Sequence, residues 1–305
     1  MRVDTDRRRF LRSLVAGSLA FTNLSFNKTN QRPLLSFATL GCPDWTYRQI
    51  VSFAAKYKYD GIEFRGLQRE FDLTKTNTFG SAGNTRDALN LAKDNNIKIV
   101  CLGSSAVLHH SNTIQRKKNL DEAKRFVDLA HKLECPFVRV FPDKFIDGRE
   151  RSIELIAEGM RNLAGFANGS DIQILLSTHG DASDADAVCD IFRHVPDKNA
   201  GIGWDILNTW YENRKEAPSA VYGKLKQYTR LVHVKDMSFK DGKETNVLLG
   251  TGEVPVFEGI DALRNGGYTG FYSFVWEKRW FPGIEEPEIS FPQYVDVMNR
   301  HFSDK

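Results

Sequence analysis

Charged side chains follow several short apolar runs of this sequence, at the points where the runs end. A buried acid, imidazole or cation is costly unless it is paired or binds a ligand, so a repeated set of them indicates a site. Carboxylates and imidazoles exchange protons, and the same groups ligate divalent metals. The run ends carry Glu63, Arg139, His179, Asp205, His233, Lys235 and Glu277. Brought together, these side chains could perform acid–base chemistry on a bound small molecule.

The apolar runs alternate with amphipathic segments from Leu34 onward, and this alternation must position the charged groups. The runs predicted to be strands are Leu34–Leu40, Gly61–Arg65, Ile97–Leu102, Phe137–Phe141, Ile172–Ser177, Gly201–Asp205, Leu231–Lys235 and Phe271–Val275. Segments between them, such as Trp45–Tyr57 and Asn119–Leu133, carry apolar residues at helical spacing. Strand–helix alternation with near-continuous apolar strands predicts a parallel sheet covered by helices.

The number of strand–helix repeats favours a closed barrel over an open sheet. No Gly-x-Gly-x-x-Gly motif follows the first predicted strand, which disfavours a dinucleotide-binding sheet. The predicted fold class is therefore α/β, a single (β/α)8 TIM barrel over residues 33–305. In such barrels the loops at the carboxyl ends of the strands converge on one opening, so the charged side chains would meet there.

Residues 1–32 are predicted to be an export signal and a linker. Residues 6–12, Asp-Arg-Arg-Arg-Phe-Leu-Arg, resemble the twin-arginine motif, and a short, weakly apolar run follows at 14–20. That run is too short to span a bilayer as a helix. The sequence thus predicts a periplasmic or otherwise exported protein without a membrane span, and the alternative is a plain basic start.

The composition of the 305 residues is that of a globular protein. Hydrophobic residues make up 41% of the chain and charged residues 27%, with a formal net charge of +3. Several arginines lie within the first twelve residues, so the remainder is close to neutral. Nucleic-acid binding requires a basic face, and we therefore expect no nucleic-acid partner. The sequence gives no indication of an oligomeric state.

Three motifs in the last third of the chain carry a resemblance to known proteins. They are His-Val-Lys-Asp at 233–236, Gly-Thr-Gly-Glu at 250–253 and Trp-Glu-Lys-Arg-Trp at 276–280. Together with the strand ends, they resemble the sugar phosphate isomerase/epimerase group of xylose-isomerase-like barrels, from about Leu34 to the C-terminal helix. The resemblance implies a small-molecule carbohydrate substrate. It also implies an isomerase, an epimerase or a keto-sugar lyase that removes a proton next to a carbonyl.

The same resemblance implies one divalent ion, manganese, magnesium or zinc, as a cofactor. Such proteins hold it with a glutamate on strand five, an aspartate on strand six, a histidine on strand seven and a glutamate on strand eight. Asp205 and His233 stand at two of these positions, whereas Ser177 and Val275 replace the two glutamates. The replacements argue against the metal and against the usual acid–base pair.

A displaced metal site is an alternative to its loss. His179 and Glu277 lie two residues beyond the replaced positions and therefore share their strand faces, so they could join Asp205 and His233. The candidate acids and bases are Glu63, His179, Lys235 and Glu277. Lys235 would act as a base or electrophile if burial lowered its pKa.

Other polar and aromatic residues at the strand ends are candidates for substrate binding. Tryptophan rings can stack on sugars, and Asn208 follows the strand-six aspartate closely enough to face the same opening. The candidate substrate-binding residues are Arg139, Trp204, Asn208 and Asp236. The loss of two glutamates also leaves open a second function, a degenerate barrel that binds sugar without turning it over.

Overall fold

Parallel strands close into a barrel in the computed structural model, which describes residues 32–212 and 216–304. The barrel strands are β1 (Leu34–Ala38), β2 (Gly61–Phe64), β3 (Lys98–Val107), β4 (Phe137–Phe141), β5 (Gln173–Ser177), β6 (Ala200–Asp205), β7 (Thr229–Val234) and β10 (Phe271–Phe274). Each pairs in parallel with the next along the chain, and β10 closes the barrel against β1. The prediction of a single (β/α)8 TIM barrel is confirmed.

Helices connect the strands and pack against the sheet. They are α1 (Tyr47–Lys56), α2 (Ala82–Asp94), α3 (Thr113–Lys132), α4 (Arg149–Phe166), α5 (Ala185–Arg193), α6 (Ile206–Glu212), α7 (Pro218–Leu225), α8 (Val256–Asn265) and α9 (Pro287–Ser303). Helix α1 shows how the sequence starts them. Thr46 and Gln49 form a reciprocal capping box, and the face with Ile50, Val51 and Ala54 is buried.

Helix α9 covers the seam where β1 meets β10. Its Phe291 ring lies 4.4 Å from the ring of Phe37 on β1, and its Tyr294 ring lies 4.6 Å from that of Phe274 on β10. The helix begins at Pro287 and continues through Pro292. Tertiary packing of this aromatic face outweighs the one backbone hydrogen bond that an internal proline removes.

Two features near the barrel opening differ from the predicted elements. Strand β3 runs on to Val107, beyond its predicted end at Leu102, with a register shift against β4 after Gly103. An antiparallel pair, β8 (Asp236–Ser238) and β9 (Thr245–Val247), follows β7 and was not predicted. Both features add backbone at the carboxyl ends of the strands, where the site lies.

The described helices include none long and apolar enough to cross a membrane. The predicted export signal lies almost wholly in residues 1–31, outside the described residues. It therefore stays a prediction.

Candidate active site

A cavity of about 390 Å³ lies at the carboxyl ends of the barrel strands. Most strands contribute two lining residues that are two positions apart, because alternate side chains share a strand face. These pairs are Ala38 and Leu40, Glu63 and Arg65, Ser105 and Val107, Arg139 and Phe141, Ser177 and His179, His233 and Lys235, and Val275 and Glu277. Charged groups from both ends of the sequence therefore face one space.

The cavity gathers most of the residues predicted to form the site. Those that line it are Glu63, Arg139, His179, Asp205, Asn208, His233, Lys235 and Glu277. Trp204 does not, which corrects the prediction that it binds substrate. It neighbours Asp205 on β6 and therefore points to the opposite face, where its indole donates to Thr209 at 3.0 Å and stacks on Tyr222.

Asp236 is also placed outside the cavity, a second correction to the predicted substrate-binding set. Its buried carboxylate accepts backbone hydrogen bonds from Gly250 and Gly252, both at 2.9 Å, and from Val254 at 3.3 Å. Asp236 thus anchors the loop at 250–254. This contact joins two of the three motifs that carried the family resemblance, and it gives them a structural reason to occur together.

Glu63 lies at the centre of a buried polar network. Its Oε2 is 2.9 Å from His233 Nε2 and accepts a hydrogen bond from Ser273 at 2.9 Å, and its Oε1 is 3.5 Å from Arg139 Nε. Burial disfavours the carboxylate, but His233, Arg139 and Ser273 together outweigh it and lower the pKa of Glu63 to about 2. So acidic a group is a weak base, which favours a positioning role for Glu63.

Lys235 forms a second charged cluster in the same cavity. Its Nζ lies 3.2 Å from Asp205 Oδ2 and 2.9 Å from Glu277 Oε1. Burial alone would lower the pKa of Lys235, but the two carboxylates overcome burial and raise it. The condition under which Lys235 would be a base, a lowered pKa, is therefore not met. Lys235 is an ammonium ion at neutral pH.

His179 is the cavity side chain best suited to accept a proton. Its side chain is 49% exposed and lines the cavity. Partial burial, followed by the positive charges of Lys235 and Arg139, lowers the pKa of His179 below its ordinary value of 6.5. The imidazole is therefore neutral at pH 7, with one ring nitrogen free to act as a base.

Two loops meet beside His179. Asp143 Oδ1 lies 4.0 Å from its Nδ1, and Asp143 has a left-handed backbone with φ of 61°. The Asp143 carbonyl accepts the Asp181 amide at 2.9 Å. Gly180 packs so closely that an added Cβ would lie 2.3 Å from that carbonyl oxygen. Backbone strain at Asp143 is thus maintained by a close contact that only glycine permits, as is common at functional sites.

The divalent-metal site implied by the family resemblance does not fit these residues. Val275 offers no donor atom and Ser177 only a neutral hydroxyl, although both line the cavity. The nearest oxygen of Asp205 and the Nε2 of His233 already contact an ammonium and a carboxylate. Across residues 32–212 and 216–304, no group of three or more histidine, cysteine, aspartate or glutamate side chains has the arrangement of a metal site. The displaced site of His179, Asp205, His233 and Glu277 stays a prediction.

A family model described as the xylose isomerase-like TIM barrel matches residues 51–297, well over half of the chain. The chain belongs to this family. A search of curated protein sequences finds no match. The family assignment agrees with the closed barrel and confirms the resemblance drawn from the sequence motifs.

Solved structures support the same fold. An IOLI protein with a bound zinc atom superposes with a TM-score of 0.73 at 16% identity, over 88% of this chain and 99% of that chain. A D-tagatose 3-epimerase-like protein gives 0.70 at 15% identity, over 88% and 97%. The probable 3-DHS dehydratase AsbF of Bacillus anthracis gives 0.66 at 18% identity, over 88% and 97%. At such identities the likeness shows the fold alone.

The sequence interpretation missed two charged residues of the cavity. Arg65 lies two positions beyond Glu63, so strand alternation already placed it on the same face. Asp143 follows β4 in a loop, where no periodic pattern indicates a direction for its side chain.

Proposed function

We propose that this cavity removes a proton from the carbon next to a carbonyl group of a sugar or keto-sugar derivative. One observation carries the proposal: a neutral imidazole, His179, and a fixed ammonium ion, Lys235, line the same cavity. The base and the cation can therefore act on one bound molecule. Solved relatives of this fold include proteins described as sugar epimerases and a dehydratase, and proton removal of this kind is common to such reactions.

The proposed reaction begins when His179 accepts the proton. The electron pair of the broken C–H bond forms a carbon–carbon double bond, and the carbonyl oxygen becomes an enolate oxygen. Lys235 stabilises that negative oxygen, which is where preorganised charge contributes most to catalysis. In an isomerisation, the hydroxyl group on the deprotonated carbon gives its proton to the enolate oxygen, and its own oxygen becomes the new carbonyl oxygen. The imidazolium returns its proton to the former carbonyl carbon. In a lyase reaction it gives the proton to a β-hydroxyl group, which leaves as water.

The other charged residues of the cavity favour a reaction in which His179 is the single base. Glu63 is strongly acidic, and Glu277 is held in an ion pair with Lys235. Isomerisation and elimination can proceed with one base, whereas inversion of a carbon centre requires a second proton-transfer group on the opposite face. We therefore favour an isomerase or lyase over an epimerase, and we assign Glu277 the role of positioning Lys235.

Deuterium exchange tests the proposal without knowledge of the product. The protein is incubated in D2O with a panel of ketoses and keto-sugar acids, and deuterium incorporation is followed by NMR. We expect exchange with at least one compound, and a loss of about 10²–10⁴-fold in His179→Gln. The control His131→Gln changes an exposed histidine of α3 and should exchange like the wild type. The acid limb of the wild-type rate should have its midpoint below pH 6.5, because the pKa of His179 is lowered.

A barrel that only binds sugar is the second candidate. The observation that favours it is that Ser177 and Val275 line the cavity at the two positions where the family resemblance implied glutamates. Saturable binding of a panel member, measured by calorimetry, with no deuterium incorporation would support this second function and contradict the first.

We also propose that residues 1–32 direct export by the twin-arginine route. The motif at 6–12 and the weakly apolar run after it support this proposal. A fusion of residues 1–32 to a reporter should reach the periplasm of a bacterial host, and the double change Arg7→Lys with Arg8→Lys should retain it in the cytoplasm. Unaffected export in the double variant would contradict the proposal.

A further inference from the structure

Two arginine side chains converge over Gly103 on the β2–β4 side of the cavity. A Cβ added at Gly103 would lie 2.6 Å from Arg139 Nη2 and 2.9 Å from Arg65 Cδ. The two guanidinium carbons lie 4.3 and 5.5 Å from the centre of the Phe141 ring, that of Arg139 being nearer. Only a residue without a side chain at position 103 leaves room for both guanidinium groups.

These guanidinium groups have few partners among the described residues. Arg139 has one ion pair, with Glu63 at 3.5 Å. Among those residues Arg65 has none within 4 Å, and the carboxylates of Glu122 and Glu63 act on it only from a longer distance. Arg65 Nη1 and Arg139 Nε are buried and donate to no described acceptor. Burial, followed by the charge of Arg139, lowers the pKa of Arg65 to about 9, so Arg65 remains charged at neutral pH. An uncompensated buried charge is costly, and both groups face a cavity that could admit a partner.

A structural arginine in the same chain shows the contrast. Arg116 is also largely buried, with a side chain 13% exposed, but its Nη1 donates to the carbonyl of Leu155 at 3.0 Å. Its Nη2 lies 3.2 Å from a carboxylate oxygen of Glu158, although without hydrogen-bond geometry. Arg116 thus has a carbonyl acceptor and a close carboxylate within the fold. The Arg65 guanidinium instead lies over the Phe71 ring at 4.5 Å, and Glu122 and Glu63 act on it only from beyond ion-pair distance.

We propose that Arg65 and Arg139 bind a carboxylate of the substrate, so that the substrate is a sugar acid. The inference rests on the proposed function in placing the substrate in this cavity. A guanidinium fork matches the two oxygens of a carboxylate, and the bound anion supplies the missing partner. Because Glu63 already neutralises part of the pair, a monoanionic carboxylate matches the remaining charge better than a dianionic phosphate.

The barrel topology gives this subsite an orientation. Strands β2, β3 and β4 lie across the ring from β6, β7 and β10, which carry the Lys235 cluster. His179 follows β5, between these two sides. A substrate with its carboxylate on the arginines would therefore direct its carbonyl end towards Lys235, with His179 beside the carbons between them.

Calorimetric binding tests the inference with matched ligands. D-glucuronate and D-galacturonate are compared with D-glucose, D-galactose and D-glucose 6-phosphate, on the wild type and on Arg65→Met. We expect the wild type to bind at least one acid about tenfold or more tightly than the matching neutral sugar and the phosphate. Arg65→Met should lose that preference, because one charge-assisted contact is removed.

A stability measurement separates a binding role from a structural one. Without ligand, Arg65→Met should melt at the same temperature as the wild type or higher, since it removes an unpartnered buried charge, whereas the control Arg116→Met should melt lower. Equal affinity for acids and neutral sugars, a preference for the phosphate, or a lowered melting temperature of Arg65→Met would overturn the inference. Preferential binding of a sugar acid without deuterium exchange would contradict the proposed function and still support the carboxylate subsite. Deuterium exchange without a preference for sugar acids would contradict the carboxylate subsite and still support the proposed function.

Discussion

Charged side chains on the two sides of the cavity differ in how many ion-pair partners they have within the protein. On the β6, β7 and β10 side, the Lys235 ammonium lies within 3.2 Å of two carboxylates, so the protein itself supplies more than enough negative charge to balance it. On the β2–β4 side, Glu63 lies 3.5 Å from Arg139, and Arg65 has no ion pair within 4 Å among the described residues. A balanced cluster can fix a catalytic cation without a ligand. An unbalanced cluster is costly in the free protein and gains its partner when a ligand binds, so the contrast separates groups that act from groups that bind.

This comparison also explains why the family metal site is a poor description of this chain. The positions where the family resemblance implied glutamates, Ser177 and Val275, are on the balanced side, and the ammonium of Lys235 supplies positive charge there. A divalent ion there would have to compete with that ammonium for Asp205 and Glu277. Under the proposed function, Lys235 stabilises the enolate in its place.

Removal of the balanced cation should have the largest effect on the protein. In Lys235→Met, the buried carboxylate of Asp205 and the partly buried carboxylate of Glu277 lose their counter-ion. We expect a loss of about 3–5 kcal/mol in the free energy of unfolding, measured by urea denaturation. We also expect deuterium exchange to fall by about 10²–10³-fold, because the enolate loses its cation.

A second lysine of this chain provides a matched control. Lys224 bridges Asp186 at 3.0 Å and Glu216 at 2.9 Å, with a side chain 36% exposed against 7% for Lys235. Exposed ion pairs contribute little, so Lys224→Met should cost about 0–1 kcal/mol and leave exchange unchanged. Equal losses in the two variants would show that burial does not distinguish the two lysines and would contradict this account.

The Glu63 network should appear as a pH dependence of stability. Its pKa of about 2 in the folded state lies below the ordinary 4.5, so the unfolded chain binds the proton more readily. The network therefore contributes stability above pH 4.5, on the order of 3 kcal/mol, which is lost as the pH falls towards 2. Glu63→Gln should be less stable at pH 7 by about that amount, and the difference from the wild type should vanish near pH 2.

The control for that experiment is an exposed carboxylate in an ion pair. Glu154 pairs with Arg151 on α4, and its side chain is 63% exposed. Glu154→Gln should follow the wild-type stability within about 0.5 kcal/mol at every pH. A gap between wild type and Glu63→Gln that stays constant down to pH 2 would contradict the lowered pKa of Glu63.

Much of the fold could be predicted because its signals are periodic. The apolar runs of β4, Phe137–Phe141, and of β5, ending at Ser177, were placed within a residue or so, since near-continuous apolar strands stand out from helical spacing. The extension of β3 to Val107 could not be predicted. Its last residues are small or polar, and they join the strand through tertiary contacts such as the hydrogen bond from Ser104 to the Arg139 carbonyl at 2.9 Å.

The residues of the site could be predicted where the alternation of side chains along a strand determines which of them face the cavity. Counting in steps of two from Glu63 and Ser177 leads to Arg65 and His179, which line the cavity. The same rule, applied to Trp204, would have excluded it, because Asp205 beside it faces inward. No sequence pattern predicts which ion-pair partner each charged side chain has. Which charges are balanced and which are not depends on distances between strands far apart in sequence.

The smallest of these effects should come from displacing the arginine pair without removing its charge. In Gly103→Ala, the added methyl group would meet Arg139 Nη2 at 2.6 Å and Arg65 Cδ at 2.9 Å, so both side chains must shift. Misplaced binding groups weaken binding even when their chemistry is intact. We expect the affinity for a bound sugar acid, measured by calorimetry, to fall about tenfold, with no matching loss for neutral sugars.

Gly203 on β6 provides the control on the other side of the barrel. An added Cβ there would be no closer than 3.6 Å to His233 and 3.9 Å to Arg139, which is ordinary contact. Gly203→Ala should therefore bind sugar acids within about twofold of the wild type. If both alanine variants lose affinity for the sugar acid equally, any added methyl group in the barrel strands weakens binding, and the loss is not specific to the arginine pair. If only Gly103→Ala loses it, the unbalanced charge on the β2–β4 side is the part of the cavity that recognises the anion.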